Sequence, residues 1–149
     1  MSDTDLIKLY SQRILALAAD IPHQGRLDSP CGSARNRSPL CGSTVTVDLC
    51  LSDGRITDFA QDVKACALGQ ASASVVGANI VGRSREEVQR ARDQLAAMLK
   101  EDGPAPEAPF DGLEVLMPAR DYKNRHASIL LTLDATLDAF DEASKAACA

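Results

Sequence analysis

The sequence predicts an α+β fold: a small three-stranded antiparallel sheet covered by several helices. Three observations carry that prediction. Thr44 to Leu51 alternates, with Val45, Val47, Leu49 and Leu51 on one face and Thr44, Thr46, Asp48 and Cys50 on the other, the period of a half-buried strand. Ser52-Asp53-Gly54 is a turn signal, so Arg55 to Val63 runs back as the second arm of a hairpin. Amphipathic segments of helical period stand before and after that hairpin.

Taken in order, Asp3 to Ala19 reads as a helix with Leu6, Ile7, Tyr10, Ile14 and Leu17 on one stripe. Asp3 or Thr4 supplies its cap and Pro22 stops it. Gln24 to Pro39 is a loop rich in Gly, Ser, Asp, Pro and Arg, with a short polar strand near Ala34 to Arg37. After the hairpin, Cys66 to Gly82 is a helix of small residues, among them Gly69, Ala71, Ser72, Ala73 and Gly77. Glycine costs a helix about 1 kcal/mol per site, so this composition requires a neighbour packed closely against it. Ser84 with Glu87 forms a capping box for the next helix, Arg85 to Lys100, which buries Val88, Ala91, Leu95 and Met98. Glu101 to Gly112, with Pro104, Pro106 and Pro109, is a loop, and Leu113, Leu116 and Met117 beyond it look inward. A long final helix, capped by Asp121 or Asn124, carries Ile129, Leu133, Leu137 and Phe140, and its end frays from about residue 142.

Residues 1–149 are expected to form one domain, with a core large enough to be stable alone. Aromatic content is 3% without tryptophan, so that core rests on Leu, Val, Ile and Ala. A net charge of −5 argues against nucleic acid as a partner. No apolar run reaches the roughly 20 residues of a membrane span, and the acidic start MSDTD is unlike an export signal, so the expected location is cytoplasmic.

Five cysteines make an odd count with no disulfide framework in their spacing. Without an export signal the thiols are expected reduced, which favours metal or sulfur chemistry over cross-links. The hairpin brings the loop holding Cys41 and the helix start holding Cys66 to the same end, a two-thiol site made by topology. The N–H groups of a helix starting at Cys66 favour its thiolate, the form that both metals and sulfur transfer need. Cys31 is usually expected to be an ordinary loop residue, with a smaller chance of reaching that site. Cys50 is expected on the sheet surface or under a helix, and Cys148 in the tail is expected to be incidental. His126, on spacing alone, reads as a polar surface residue in the first turn of the last helix, and Asp48 and Asp62 read as solvated.

Three motifs in order resemble the iron–sulfur cluster assembly scaffold family, the group of IscU, SufU and the NifU N-terminal domain. They are Cys41-Gly42-Ser43 entering an alternating strand, Cys66 opening the ASAS helix, and Arg125-His126-Ala127-Ser128-Ile129-Leu130 opening the last helix. The resemblance runs from the first helix to about Phe140, and the long segment between Gly82 and His126 is similar to that of SufU-type members. Residue by residue, Cys41 and Cys66 match the first two cysteine ligands of the family and His126 matches its histidine. Ser43 stands where the family has Asp, and Ala127 where it has a third Cys. The LPPVK segment that IscU offers to its chaperone has no counterpart in RDYKNR, before His126.

The resemblance implies a divergent scaffold that binds zinc or iron, or a transient 2Fe–2S cluster, through Cys41, Cys66 and His126. A structural zinc site takes four ligands, so the fourth would be water, Cys31, another subunit or a partner's thiol. The implied partners are a cysteine desulfurase and acceptor apoproteins, with a homo-oligomer among the possibilities. Cys41 is the remaining candidate persulfide acceptor. Two alternatives accompany this reading: a SufU-like zinc-dependent sulfurtransferase, and a metal-free adaptor that kept the fold after losing the site. A carrier is favoured over a catalyst.

Overall fold

The computed structural model describes residues 11–40 and 42–148, with side chains to residue 145. Cys41 and the first eight positions of the expected opening helix (3–10), with the candidate caps Asp3 and Thr4, lie outside the described residues. The described part of that helix, α1 (Gln12–Ala19), starts behind Ser11, whose hydroxyl accepts from the Ile14 amide at 3.3 Å. It turns Ile14 into the core.

Strands β1 (Gly32–Arg37), β2 (Thr44–Ser52) and β3 (Arg55–Lys64) form one antiparallel sheet in the order β1-β2-β3. Asp53 and Gly54 both have positive φ, 53° and 76°, as a two-residue turn joining right-twisted strands requires. Register follows from the alternation. Leu49 lies opposite Gly32 and Phe59, and Val45 opposite Asn36 and Val63, so one face of β2 is buried and apolar. A register shift between Cys50 and Leu51 ends the strict alternation, and Leu51 is only partly buried.

The helices lie under that face. The long last helix, α4 (Lys123–Cys148), packs on β1 and β2. Gly32 marks the closest approach, because a Cβ there would collide with the Ala139 carbonyl oxygen and meet the Ala143 amide at 2.6 Å. Chain expected to fray from about residue 142 therefore stays helical to Cys148, with Ala143 buried and the Glu142 carboxylate accepting from the Ser33 amide at 3.4 Å. In sequence between β3 and α4 come α2 (Ala67–Asn79), which packs on α1 and α4, and α3 (Arg85–Lys100), which packs on α4. The Ser84–Glu87 capping box is formed: the Ser84 hydroxyl accepts from the Glu87 amide at 3.3 Å and Glu87 accepts from the Ser84 amide at 3.2 Å. Leu113, Leu116 and Ala119 are buried from a run of 3-10 turns, Asp111–Asp121, a regular element that the short segment did not announce.

The other face of the sheet is crossed by the chain leading into β1. The Gly25 amide donates to the Gln61 carbonyl at 2.8 Å and the Gln61 amide to the His23 carbonyl at 2.9 Å, which covers the free edge of β3. Arg26 and Leu27 then reach Asp48. The Arg26 guanidinium pairs with both carboxylate oxygens, at 2.6 and 3.1 Å, and the Leu27 amide donates at 3.1 Å. Asp48 is fully buried, not solvated as its polar strand face suggests. Burial pushes its carboxyl up, but hydrogen bonds from Arg26, Ser33 and the Leu27 amide, with the charge of Arg26, outweigh this and hold it below the usual carboxylate range.

Candidate functional site

The candidate site stands where β2 begins, β3 ends and both α2 and α4 start. Thr44 pairs with Lys64, so Ser43 and Cys66 emerge at one end of the sheet. Loop 38–43 is closed by the Ser38 amide donating to the Ser43 carbonyl at 2.8 Å and the Gly42 amide to the Ser38 carbonyl at 2.9 Å. Gly42 has φ +71°, a conformation glycine accepts without penalty. These bonds bracket Cys41, although Cys41 itself lies outside the described residues.

Cys66 is the N-cap residue of α2, half-buried, at the positive end of the helix. Its sulfur lies 3.5 Å from the Ser128 hydroxyl, which donates to the Ser43 hydroxyl at 3.0 Å. Either the Cys66 sulfur or the Ser128 hydroxyl can donate in the first contact, and a relay results from Cys66 through Ser128 to Ser43. Ser43 and Ser128 are both buried. Ser43 thus occupies the predicted Asp position without a charge, and Ala127 offers no donor.

Small residues hold α2 against α4 at this point, as the composition of α2 requires. A Cβ on Gly69 would stand 2.6 Å from the Ser128 hydroxyl and 3.2 Å from its carbonyl oxygen. One turn on, the Ser72 hydroxyl donates to the Ile129 carbonyl at 2.6 Å, deep in the interface. Gly69 is therefore what lets Ser128 reach Cys66.

His126 is buried, with 4% of its surface exposed, which corrects the surface reading drawn from spacing alone. The reason lies in the 3-10 segment before α4, whose last carbonyl groups it meets. His126 Nε2 lies 3.0 Å from the Ala119 carbonyl oxygen and 3.1 Å from that of Arg120. Both partners are acceptors, so Nε2 carries a proton, and Nδ1 is the nitrogen whose lone pair a metal could use. A backbone carbonyl on the far ring nitrogen is the usual support of a metal-ligating histidine.

Cys31 does not belong to this site. It is disulfide-bonded to Cys50 with the two Cα atoms 4.7 Å apart, at the opposite end of β2. The pairing removes Cys31 as a fourth ligand and overturns the expectation that all thiols are free. Its cause is the register: Gly32 faces Leu49, so the preceding residue faces Cys50. Among the described residues no three His, Cys, Asp or Glu side chains converge as metal ligands. The donor types nevertheless suit a soft divalent ion: a thiol at a helix start against Ser128 and Ser43, and an imidazole two positions before Ser128. Ser128 is the residue that sequence reasoning left without a role, although it stands in the motif that opens α4.

Residues 9–126 match the family described as NifU-like N terminal domain. The chain belongs to that family. It is similar to the solved N-terminal part of a nitrogen-fixing NifU-like protein from Brucella abortus, with 48% identity and a TM-score of 0.91 over 95% of this chain and 98% of that one. A putative iron–sulfur cluster assembly scaffold protein for the SUF system from Fervidobacterium islandicum AW-1 shares the fold, with a TM-score of 0.77 at 20% identity over 90% of this chain and 98% of that one. The iron–sulfur cluster assembly scaffold protein IscU of Thermotoga maritima is 31% identical over 80 residues, 54% of this chain. That match spans 56% of the curated relative, about half its length. The α+β fold with a three-stranded sheet is thus the NifU- and SufU-like one. Among the described residues no helix is long and apolar enough to cross a membrane.

Proposed function

We propose that this NifU-like chain acts in iron–sulfur cluster assembly as a scaffold-like carrier, with zinc, iron or a transient 2Fe–2S cluster as its cargo. Cys41, Cys66 and His126 are the proposed ligands. The observation that carries the reading is the placement of Cys66 at a helix start, against Ser128 and Ser43, at the sheet end where loop 38–43 closes. Two thiolates and one imidazole around a divalent ion sum to about zero charge and leave a fourth position open. An open position favours exchange of cargo over tight storage.

Ligation requires the Cys66 thiol to lose its proton. Ser128 can then rotate its hydroxyl from Ser43 toward the sulfur, so the relay compensates the new charge without moving either helix. Cys41 is the proposed sulfur entry point. Its thiolate would attack the terminal sulfur of a cysteine desulfurase persulfide, forming a new S–S bond as the desulfurase cysteine leaves as thiolate. Acceptor apoproteins in the cytoplasm would take the cargo on.

One observation favours a second reading, the metal-free adaptor. Ser43 and Ala127 stand where the resemblance puts an Asp and a third Cys, so two of the donors it calls for are replaced by a neutral hydroxyl and a methyl group. Metal and acid-labile sulfide should be measured on protein purified without oxygen, beside Cys41→Ser, Cys66→Ser and His126→Ala. About one zinc or iron per chain, lost in all three variants, is the expected result. Desulfurase-dependent sulfur uptake that is lost in Cys41→Ser would identify the zinc-dependent sulfurtransferase instead. No metal, with all variants equally folded, would leave the adaptor.

A further inference from the structure

The bonded pair Cys31–Cys50 lies outside the proposed cargo site, and its surroundings give it a chemistry of its own. Cys31 is exposed and Cys50 half-exposed, on the face of the sheet turned away from the helices. Chain on either side of Cys31 is held independently of the bond. Behind it, β1 pairs with β2 from Gly32 to Arg37, and the Cys31 amide donates to the Leu49 carbonyl at 2.9 Å. Ahead of it, Arg26 and Leu27 are bound to Asp48, and Gly25 is bound to Gln61. Only Asp28, Ser29 and Pro30 span the gap between these anchors. The Ser29 carbonyl oxygen stands 3.7 Å from the Cys50 sulfur, placed to accept from its thiol once the bond is open.

We infer that Cys31 and Cys50 form a reversible thiol–disulfide site on the outer face of the sheet, exchanging with small thiols or a dithiol reductase without unfolding the protein. The backbone ladder keeps the two sulfurs adjacent in either state, so closing the bond orders almost no additional chain. Opening proceeds from the solvent side. An external thiolate attacks the exposed Cys31 sulfur, the S–S bond breaks, and Cys50 leaves as a thiolate that takes a proton. A second external thiol then attacks the mixed disulfide, releasing Cys31 as a thiol. In total two external thiols are oxidised to one disulfide and the protein gains two thiols. Low-molecular-weight disulfide closes the pair by the reverse steps. What changes is local: in the closed state Cys31 is tied to β2 by the S–S bond and by its amide, and in the open state by its amide alone.

The test uses the full chain, equilibrated without denaturant in glutathione buffers of graded oxidised-to-reduced ratio, quenched with acid and alkylated. Peptide mapping should show Cys31 and Cys50 passing together from fully alkylated to fully protected, reversibly. The Cys50→Ser variant should remain folded, with Cys31 alkylated or glutathionylated at every ratio. Amide hydrogen exchange at Cys31 should quicken at least several-fold on reduction, with β2 and α4 unchanged. Alkylation of both residues at every ratio would overturn the inference, as would a bond opened only in denaturant or a pairing that involves Cys41 or Cys66. None of these readouts depends on metal or cluster, so the inference can fail while the proposed cargo site stands.

Discussion

Ser128 donates a hydrogen bond to Ser43 at 3.0 Å across 85 positions of sequence, joining the start of the last helix to the start of the central strand. The pair fills with two neutral hydroxyl groups the place where the family resemblance calls for a carboxylate. Replacing Ser43, only 4% exposed, by Asp sets a charge beside Ser128 and Cys66. Without an ion the buried carboxylate should destabilise the fold by about 1–3 kcal/mol, lowering Tm. With zinc or iron(II) that loss should be recovered, because the carboxylate supplies a fourth donor, the third anionic one. Retention of zinc against a competing chelator should rise roughly tenfold over the parent chain, a gain of about 1.4 kcal/mol. A lower Tm with no gain in retention would mean that Ser43 does not face the ion.

Gly69 is the residue on which the Cys66–Ser128 contact depends. Gly69→Ala adds a methyl group 2.6 Å from the Ser128 hydroxyl and 2.9 Å from the Ala65 Cβ, so α2 and α4 must separate. Overpacking of this kind costs about 1–3 kcal/mol against about 1 kcal/mol of helix propensity gained, and the contact with the Ser128 carbonyl puts the cost at the upper end. Urea unfolding should show that loss of stability, and alkylation of Cys66 in the folded state should change in rate at least severalfold. Unchanged stability would show that the helices part freely there.

The alternation of Val45, Val47 and Leu49 and the Asp53-Gly54 turn made the hairpin legible, because strand period and turn chemistry are local properties. Ser84 and Glu87 announced a helix start for the same reason. The small residues of α2 foretold a close neighbour without naming it; Gly69 against Ser128 shows which one. What escaped the sequence is pairwise and distant. Cys31 finds Cys50 through a strand register that no cysteine spacing encodes, and Asp48 is buried only because Arg26 arrives from 22 positions upstream. His126 was misplaced at the surface since its burial depends on the 3-10 turns before it, a segment whose period is too short to read. Cys66 was recognised from its place at a helix start, a local signal.

His126 should matter to stability as well as to metal. His126→Ala removes the donor to the Ala119 and Arg120 carbonyl groups and opens a small void, at a cost of about 1–3 kcal/mol. His126→Asn restores a side-chain N–H near the carbonyl groups but no imidazole lone pair. Its stability should therefore lie between the parent and His126→Ala, while its metal content should match that of His126→Ala. Parental metal content in His126→Asn would remove the imidazole from the ligand set.

Asp48 sets the sign of the acid response. Its folded carboxyl is held below the value of an unfolded aspartate, about 3.9. A depressed folded value means that the unfolded chain takes up the proton first. The stabilisation is therefore fully present above about pH 4, and it is lost as pH falls through the lower folded value. Glu87, held low chiefly by the Ser84 amide, and Asp141, held low by Arg85, act in the same direction. Both are more exposed than Asp48, so salt should weaken their share. Asp48→Asn keeps the shape and an acceptor for Leu27 but loses the charge facing Arg26. Its stability should be lower than the parent's at pH 7, and the two curves should converge as pH drops below 4, most clearly at high salt. Urea unfolding at a series of pH values reads this directly. Parallel curves down to the acid transition would show that Arg26 contributes nothing to the ionisation of Asp48, and that the buried carboxylate is balanced by Ser33 and the Leu27 amide alone.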